Sequence, residues 1–423
     1  MKKAFKAAVV ATLGWQVRRL RRKHKFNLIA VAGSIGKTST KMAIAEVLSA
    51  SQRVQYHEGN YNDITTVPLI FFGQKQPSLT NPLAWLRVFF ANEKKIKSFD
   101  YETVVVEIGT DAPGQIDAFK KYLDPDLTVI TAITPEHMEN FADLDVVARE
   151  ELAVAGYSKR LLVNTDLSPE KYLANINVEL LTYGTKNADF KIENVQFSAN
   201  GCSFKITKKG KEIIKVDHAS FSEPQLYSLA AAITVANIYG LSVDQIRKGL
   251  GVIMPVAGRM QKLEGIKNSV IIDDSYNASP EATRAALNTL IRLSAQQKIA
   301  LLGNMNELGK FSSNAHTEIG EMCKPENLDL VVTLGPEANE YLAVAAQKNG
   351  CRVIKTNSPY EAGQVVKENI KDNATVLVKG SQNGVFAEEA IKAFLKNPED
   401  EAKLVRQSAA WMKVKNKQFN RGN

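Results

Sequence analysis

Residues 31–39 read V-A-G-S-I-G-K-T-S, a run whose glycines, lysine and hydroxyls could cradle a phosphate. Backbone N–H groups of such a turn point at an anion, and Lys37 adds a point charge. The spacing gathers Gly33, Ser34, Gly36, Lys37, Thr38 and Ser39, with Val31 and Ala32 where the commoner G-x-x-x-x-G-K-[ST] form would begin. ATP is the expected ligand, with the Thr38 or Ser39 hydroxyl on Mg2+. The competing reading is a plain glycine turn with a solvated lysine.

Two further residues extend this chemistry. Glu107 ends the apolar run V-V-V-E, where a carboxylate costs free energy unless it is solvated or bound to a cation. It reads as a magnesium ligand, against the alternative of an exposed acid at a strand end. His137 follows the next apolar run and places an imidazole at the same edge. A lone histidine more often packs than ligates, but together with Lys37 and Glu107 it completes a set on successive strand ends.

Elements able to hold that set are legible around it. The runs 101–109 and 127–133 are short and β-branched, as buried parallel strands should be, and 159–166 reads as another. Ligands in open α/β sheets sit outside the carboxyl ends of such strands. Residues 189–216 alternate instead, with Asn200-Gly201 and Lys209-Gly210 as turns of a small antiparallel excursion. Helical sequence follows from 226 to 250, and 255–259 reads as a linker. Strands then recur at 270–272, 299–302, 330–334 and 375–378, giving a second α/β unit. The tail after residue 402 reads as a helix that frays.

At 423 residues the chain has room for two domains, and its three cysteines have no paired spacing, which speaks for a reducing cytosol and against a disulfide framework or zinc site. The net charge of +9 resides in residues 1–26, which hold nine Lys and Arg and no acid. Val10, Leu13, Val17 and Leu20 recur there at helical spacing, too few apolar residues to cross a bilayer. This segment reads either as a docked N-terminal helix with a solvated basic face or as a helix on the inner membrane surface. No nucleic-acid partner is expected, because the chain beyond residue 26 is neutral. The expected divisions are 1–26, a P-loop unit with a mainly parallel sheet over 27–255, and a Rossmann-like α/β unit over 256–423.

From about residue 27 to 389 the motifs resemble the Mur ligases of cell-wall synthesis, nearest to the branch that adds D-alanyl-D-alanine. The likeness runs through G-S-I-G-K-T-S-T-K, G-N-Y-N-D-I-T-T-V-P-L (59–69), E-I-G-T-D-A-P-G-Q-I (107–116) and H-M-E-N-F (137–141). It continues through P-V-A-G-R (255–259), D-D-S-Y-N-A-S-P (273–280), G-N-M-N-E-L-G (303–309) with His316, and V-K-G-S (378–381). The resemblance implies an ATP-dependent ligase that joins an amine to a carboxylate through an acyl phosphate. It implies that Thr38 and Glu107 hold one Mg2+ and His137 a second. It also implies that Asp274, Tyr276 and Asn277 face the nucleotide across a cleft, that Arg259 serves the hinge or phosphates, and that Lys379 and Ser381 handle the amine. For residues 273–280 a capped helix start is the competing reading, and Lys379 and Ser381 could simply end a strand.

Three departures from the family pattern stand out. Only about 26 residues precede the ATP-binding strand, so the family's uridine-nucleotide-binding first domain has no room, and a lipid-linked or polymeric acceptor becomes an alternative to the soluble precursor. Glu151 occupies the place of a lysine that is carbamylated in many relatives; it would reach the metal through water or be a solvated helix residue. Asn304 and Gln382 replace an acid and an arginine usual in the D-alanyl-D-alanine branch. A ligase or amidating enzyme on another acceptor, working with a glutaminase partner in the amidating case, and a non-catalytic nucleotide-binding interaction protein are the competing functions.

Overall fold

The computed structural model describes residues 2–198 and 200–419. Its N-terminal sheet has nine strands: β1 (Asn27–Ala32), β2 (Val54–Gln55), β3 (Thr103–Glu107), β4 (Leu127–Ile130), β5 (Arg160–Asn164), β6 (Glu179–Gly184), β7 (Phe190–Ser198), β8 (Gly201–Lys208) and β9 (Lys211–His218). They lie in the order β2-β3-β1-β4-β5-β6-β7-β8-β9. Pairing is parallel as far as β7 and antiparallel from β7 to β9, as the change from continuous apolar runs to alternation predicts. The central strand β1 has β3 on one side and β4 on the other, so the crevice beyond its carboxyl end is where such sheets bind ligands.

The second sheet is formed by β10 (Gln261–Glu264), β11 (Val270–Asp274), β12 (Gln297–Gly303), β13 (Leu330–Leu334), β14 (Val353–Thr356) and β15 (Ala374–Lys379). Its order is β10-β11-β15-β12-β13-β14, with only β10 antiparallel. Apolar side chains cover both faces of each sheet, so each has one core above and one below. The short strands β2, β10 and β14 carried too little pattern to stand out in the sequence.

At the N-terminus, α1 (Lys2–Lys23) is a single helix docked on the protein. Val9, Leu13, Val17 and Leu20 are buried, whereas Val10 is only half-buried, so the apolar stripe is rotated one residue from the spacing expected. Leu13 and Val9 pack with Leu69 of α3 (Val67–Ile70) and with Trp85 and Val88 of α4 (Pro82–Lys97). That stripe is therefore unavailable as a membrane insert. The C-terminal helix Ala409–Gln418 is anchored by Lys415, which is fully buried and pairs with Glu388 (2.9 Å) and Glu389 (2.6 Å); residues 420–423 of the tail expected to fray lie outside the described residues. Among the described residues no helix is long and apolar enough to cross a membrane.

Candidate active site

The phosphate-type turn forms because two positions call for glycine, Gly33 for want of room and Gly36 for its left-handed φ. Gly33 has φ 120°, and a Cβ there would lie 2.5 Å from Thr131 Oγ1 and 2.9 Å from the Ala132 backbone. Gly36, at φ 81°, caps the helix α2 (Lys37–Ser49). The Thr131 hydroxyl at the end of β4 holds the turn through the carbonyls of Ala32 (3.1 Å) and Ile35 (2.6 Å). The first N–H groups of α2 thus open onto a cavity of about 310 Å³ at the crevice between the sheets. Lys37 donates to the carbonyls of Gly33 (2.5 Å) and Ser34 (3.2 Å) and lies 3.5 Å from Glu136. Burial alone would lower its pKa, but the carboxylates of Glu136, Glu151 and Glu107 outweigh that and hold it raised.

Parallel register sets Glu107 beside Val31, two residues before Gly33 of the turn. Its carboxylate accepts from Thr38 Oγ1 (3.0 Å) and Asn62 Nδ2 (3.3 Å). Lys41, one turn along α2, lies 3.4 Å from the same carboxylate and donates to the Gly59 carbonyl (2.9 Å). Burial lowers the Lys41 pKa, and Glu107 partly opposes this. Sequence reasoning missed Lys41, although it closes the quoted motif G-K-T-S-T-K. The adjoining carboxylate and hydroxyl form a set of hard oxygen donors facing the cavity, and such donors fit Mg2+.

His137, at φ 51°, also lines the cavity, but its ring is committed to carboxylates. Nδ1 lies 2.6 Å from Glu307 of the opposite half, and Nε2 lies 3.4 Å from Asp111 and 3.7 Å from Glu136. Burial would lower the imidazole pKa, yet the bond to Glu307 and the surrounding acids raise it. Glu139 N also donates to the Glu307 carbonyl (3.1 Å), so this loop clasps the two halves together. Glu307 sits in the quoted G-N-M-N-E-L-G motif, but nothing in its spacing announces a clasp. His316 from the same stretch is core: it is fully buried and accepts from Met305 N (2.9 Å).

Glu151 is not a solvated helix residue. It is 2% exposed and accepts from Gly33 N at 2.7 Å, so it braces the turn from beneath and does not line the cavity. Burial pushes its carboxyl up to about 7, with Lys37 opposing. The folded protein then holds a proton that the unfolded chain releases near the ordinary carboxylate value of 4.5. Its contribution to stability should accordingly fall as pH rises from about 4.5 to about 7 and stay level above. Glu151→Gln keeps an acceptor for Gly33 N and removes the titration. The melting temperature of this variant relative to the parent should rise by several degrees between pH 5 and pH 8; parallel curves would refute the assignment.

On the opposite wall, register places Asp274 beside Lys379 at the ends of β11 and β15. Their side chains pair at 2.6 Å, both buried, while Lys379 also donates to the Asn277 carbonyl (2.7 Å) and Asp274 accepts from Met260 N (3.0 Å). Desolvation lowers the Lys379 pKa, with Asp274 opposing. These contacts shape the 274–277 loop, whose Asp274, Tyr276 and Asn277 line the cavity with Arg259 and Gln382. The Tyr276 ring has the Arg259 guanidinium 4.2 Å from its centroid and that of Arg406 at 5.5 Å. Arg406 donates to the carbonyls of Ser275 (2.8 Å) and Tyr276 (3.0 Å) while paired with Glu388 at 2.9 Å. Its role was invisible in sequence, since it lies about 130 residues from the loop it holds.

Ser381 departs from expectation. Its hydroxyl donates to the Ala278 carbonyl (2.9 Å) and accepts from Asn306 N (2.9 Å), so its hydrogen-bonding capacity is spent inside the protein, away from the cavity lining. Asn304 likewise serves the fold, accepting from Ala338 N at 2.9 Å. Of the residues expected at the site, the cavity gathers Ser34, Gly36, Lys37, Thr38 and Ser39 from the turn, Glu107 and His137 beside it, and Arg259, Asp274, Tyr276, Asn277 and Lys379 opposite. Gly33, Glu151 and Ser381 stand behind it.

Comparison with known proteins gives two family matches: the Mur ligase middle domain over residues 31–236 and the Mur ligase glutamate ligase domain over 258–382. The UDP-N-acetylmuramoyl-tripeptide–D-alanyl-D-alanine ligase of Bacillus subtilis is 28% identical over 380 residues, covering 88% of this chain and 76% of that protein. The Escherichia coli enzyme of the same name is 25% identical over 381 residues, covering 88% and 77%. In fold, the chain superposes on the MurF ligase of Thermotoga maritima in complex with ADP with a TM-score of 0.74 at 23% identity, covering 93% of this chain and 84% of that one. A folylpolyglutamate synthase of Mycobacterium tuberculosis gives 0.65 at 16% identity, covering 92% and 93%.

Proposed function

Because this chain belongs to the Mur ligase family, we propose that it is an ATP-dependent ligase joining D-alanyl-D-alanine to the peptide carboxylate of a peptidoglycan precursor. One observation carries the reading. A single cavity unites a lysine-bearing phosphate turn, an oxygen-donor pair suited to Mg2+, and a polar loop from the opposite sheet. ATP and Mg2+ are the cofactors of this reading.

The chemistry requires an anionic carboxylate to approach an anionic triphosphate, so charge must be neutralised first. Lys37 and the N–H groups of the turn would take the phosphates. Thr38 and Glu107 would hold Mg2+, which when bound spreads the developing phosphate charge. The substrate carboxylate oxygen bonds to the γ-phosphorus as the bond to the bridging β,γ-oxygen breaks, giving an acyl phosphate and ADP. The amine nitrogen then attacks the acyl carbon, the bond to phosphate breaks, and inorganic phosphate and a proton leave with the new amide. The clasp between His137 and Glu307 ties together the two walls between which the reactants would meet.

Phosphate release should therefore require ATP, a precursor carboxylate and an amine together. The assay that decides it presents soluble nucleotide-linked and lipid-linked precursors, each with and without D-alanyl-D-alanine. Release without carboxylate or amine sinks the ligase reading. Release with another amine keeps the ligase and replaces the amine, a possibility directed at Gln382 on the cavity wall.

A further inference from the structure

The outer ridges of α1 and α4 form one surface, and we propose that it is a docking face for an anionic lipid bilayer. The helices lie side by side and run in the same direction. Gln16 bonds to the Phe89 carbonyl (2.9 Å) and to Asn92 (2.8 Å), Arg19 to Glu93 (2.7 Å), and His24 to the Ile96 carbonyl (2.7 Å), so the positions advance together. Their inward residues are spent on the core, as Val9, Leu13, Trp85 and Val88 show.

Outward, both helices carry the same division. On α4 the ridge begins with Leu83 (69% exposed), Leu86 (49%) and Phe90 (69%), with one exposed cation, Arg87, among them, then becomes cationic at the exposed Lys94 and Lys97. On α1 it begins with exposed alanines at 4, 7, 8 and 11 and Trp15 (46%), flanked by the exposed Lys3 and Lys6, and becomes wholly cationic at the exposed Arg22 and Lys23, with Lys25 just beyond. Parallel packing brings apolar beside apolar and basic beside basic. Arg19 joins the two ridges, its guanidinium 4.5 Å from the Trp15 ring centroid while it pairs with Glu93. Glu93 is the only acid on either helix, and that pair neutralises it.

An apolar band bordered by lysine and arginine suits the boundary between acyl chains and anionic headgroups. The same charge opposes a second copy of the chain, because two such faces would bring like charges together. Four of the ten large hydrophobic residues exposed among the described residues fall on this ridge pair. The contact is superficial, as no helix among the described residues is long and apolar enough to cross a membrane. This face is independent of the ligase reading and differs from the buried stripe of α1.

Flotation of the full chain tests it, with vesicles of phosphatidylcholine alone and of phosphatidylcholine mixed with phosphatidylglycerol. The protein should float with the anionic vesicles, and high salt should weaken this. Leu86→Ser with Phe90→Ser, and separately Lys94→Glu with Lys97→Glu, should each weaken binding about tenfold without changing melting temperature, since these side chains are exposed. Lys209→Glu with Lys211→Glu, on the distant β8–β9 hairpin, should bind as the parent does. Absence of flotation overturns the proposal, as does equal loss from the hairpin variant, which would reduce the effect to bulk charge. Sedimentation without lipid adds the last arm: a dimer that Leu86→Ser with Phe90→Ser makes monomeric would assign the face to self-association instead.

Discussion

Lys37→Met should lower ATP-dependent phosphate release by about a thousandfold and leave the fold intact. Methionine preserves the alkyl packing, and the lost bonds run to the turn's own carbonyls, each contributing about 1.5–3 kcal/mol because the donor is charged. What disappears is the only cation on the turn itself, and with it the charge that offsets Glu136, Glu151 and Glu107. Steady-state turnover with saturating precursor and amine, beside calorimetric ADP binding, separates the outcomes. Turnover within about tenfold of the parent would remove Lys37 from the phosphate-transfer step. If the parent turns over no carboxylate and amine pair while the variant loses ADP binding, the non-catalytic nucleotide-binding reading takes precedence.

Glu107→Gln is expected to damage both activity and stability, for separable reasons. The amide can still meet Thr38 and Asn62, but it cannot compensate Lys41, whose side chain is 0% exposed. Breaking one side of a buried pair costs about 3–5 kcal/mol, whereas replacing both sides can be nearly neutral. Glu107→Gln with Lys41→Met should therefore recover most of the stability lost by Glu107→Gln alone, as read by urea unfolding in a double-mutant cycle. Turnover should remain at least about a hundredfold below the parent in both, because the carboxylate donor for Mg2+ is gone. Recovery of activity with stability would show that Glu107 serves only to pair with Lys41.

Much of this arrangement was legible in the chain. The apolar runs 101–109 and 127–133 announced the parallel strands observed at Thr103–Glu107 and Leu127–Ile130, because a strand buried on both faces cannot alternate. The glycines at 33 and 36 announced the turn because a positive φ favours glycine at both and a close approach to Thr131 and Ala132 leaves Gly33 no room for a side chain. Those are local requirements, written in a few adjacent residues.

Partners distant in sequence were decided only by the tertiary structure. Register across β11 and β15 set Lys379 against Asp274 and made it an anchor of the loop. Packing beneath the turn converted Glu151 from a surface candidate into a buried brace, and docking of α1 chose Val9 over Val10. The clasp of His137 on Glu307, and the reach of Arg406 to Tyr276, depend on how the two sheets meet. Spacing along a chain determines which side chains share a strand end or a helix face; which of those groups then meet, lose water and change their proton affinity is fixed by long-range packing, because burial and pairing are properties of the assembled interior.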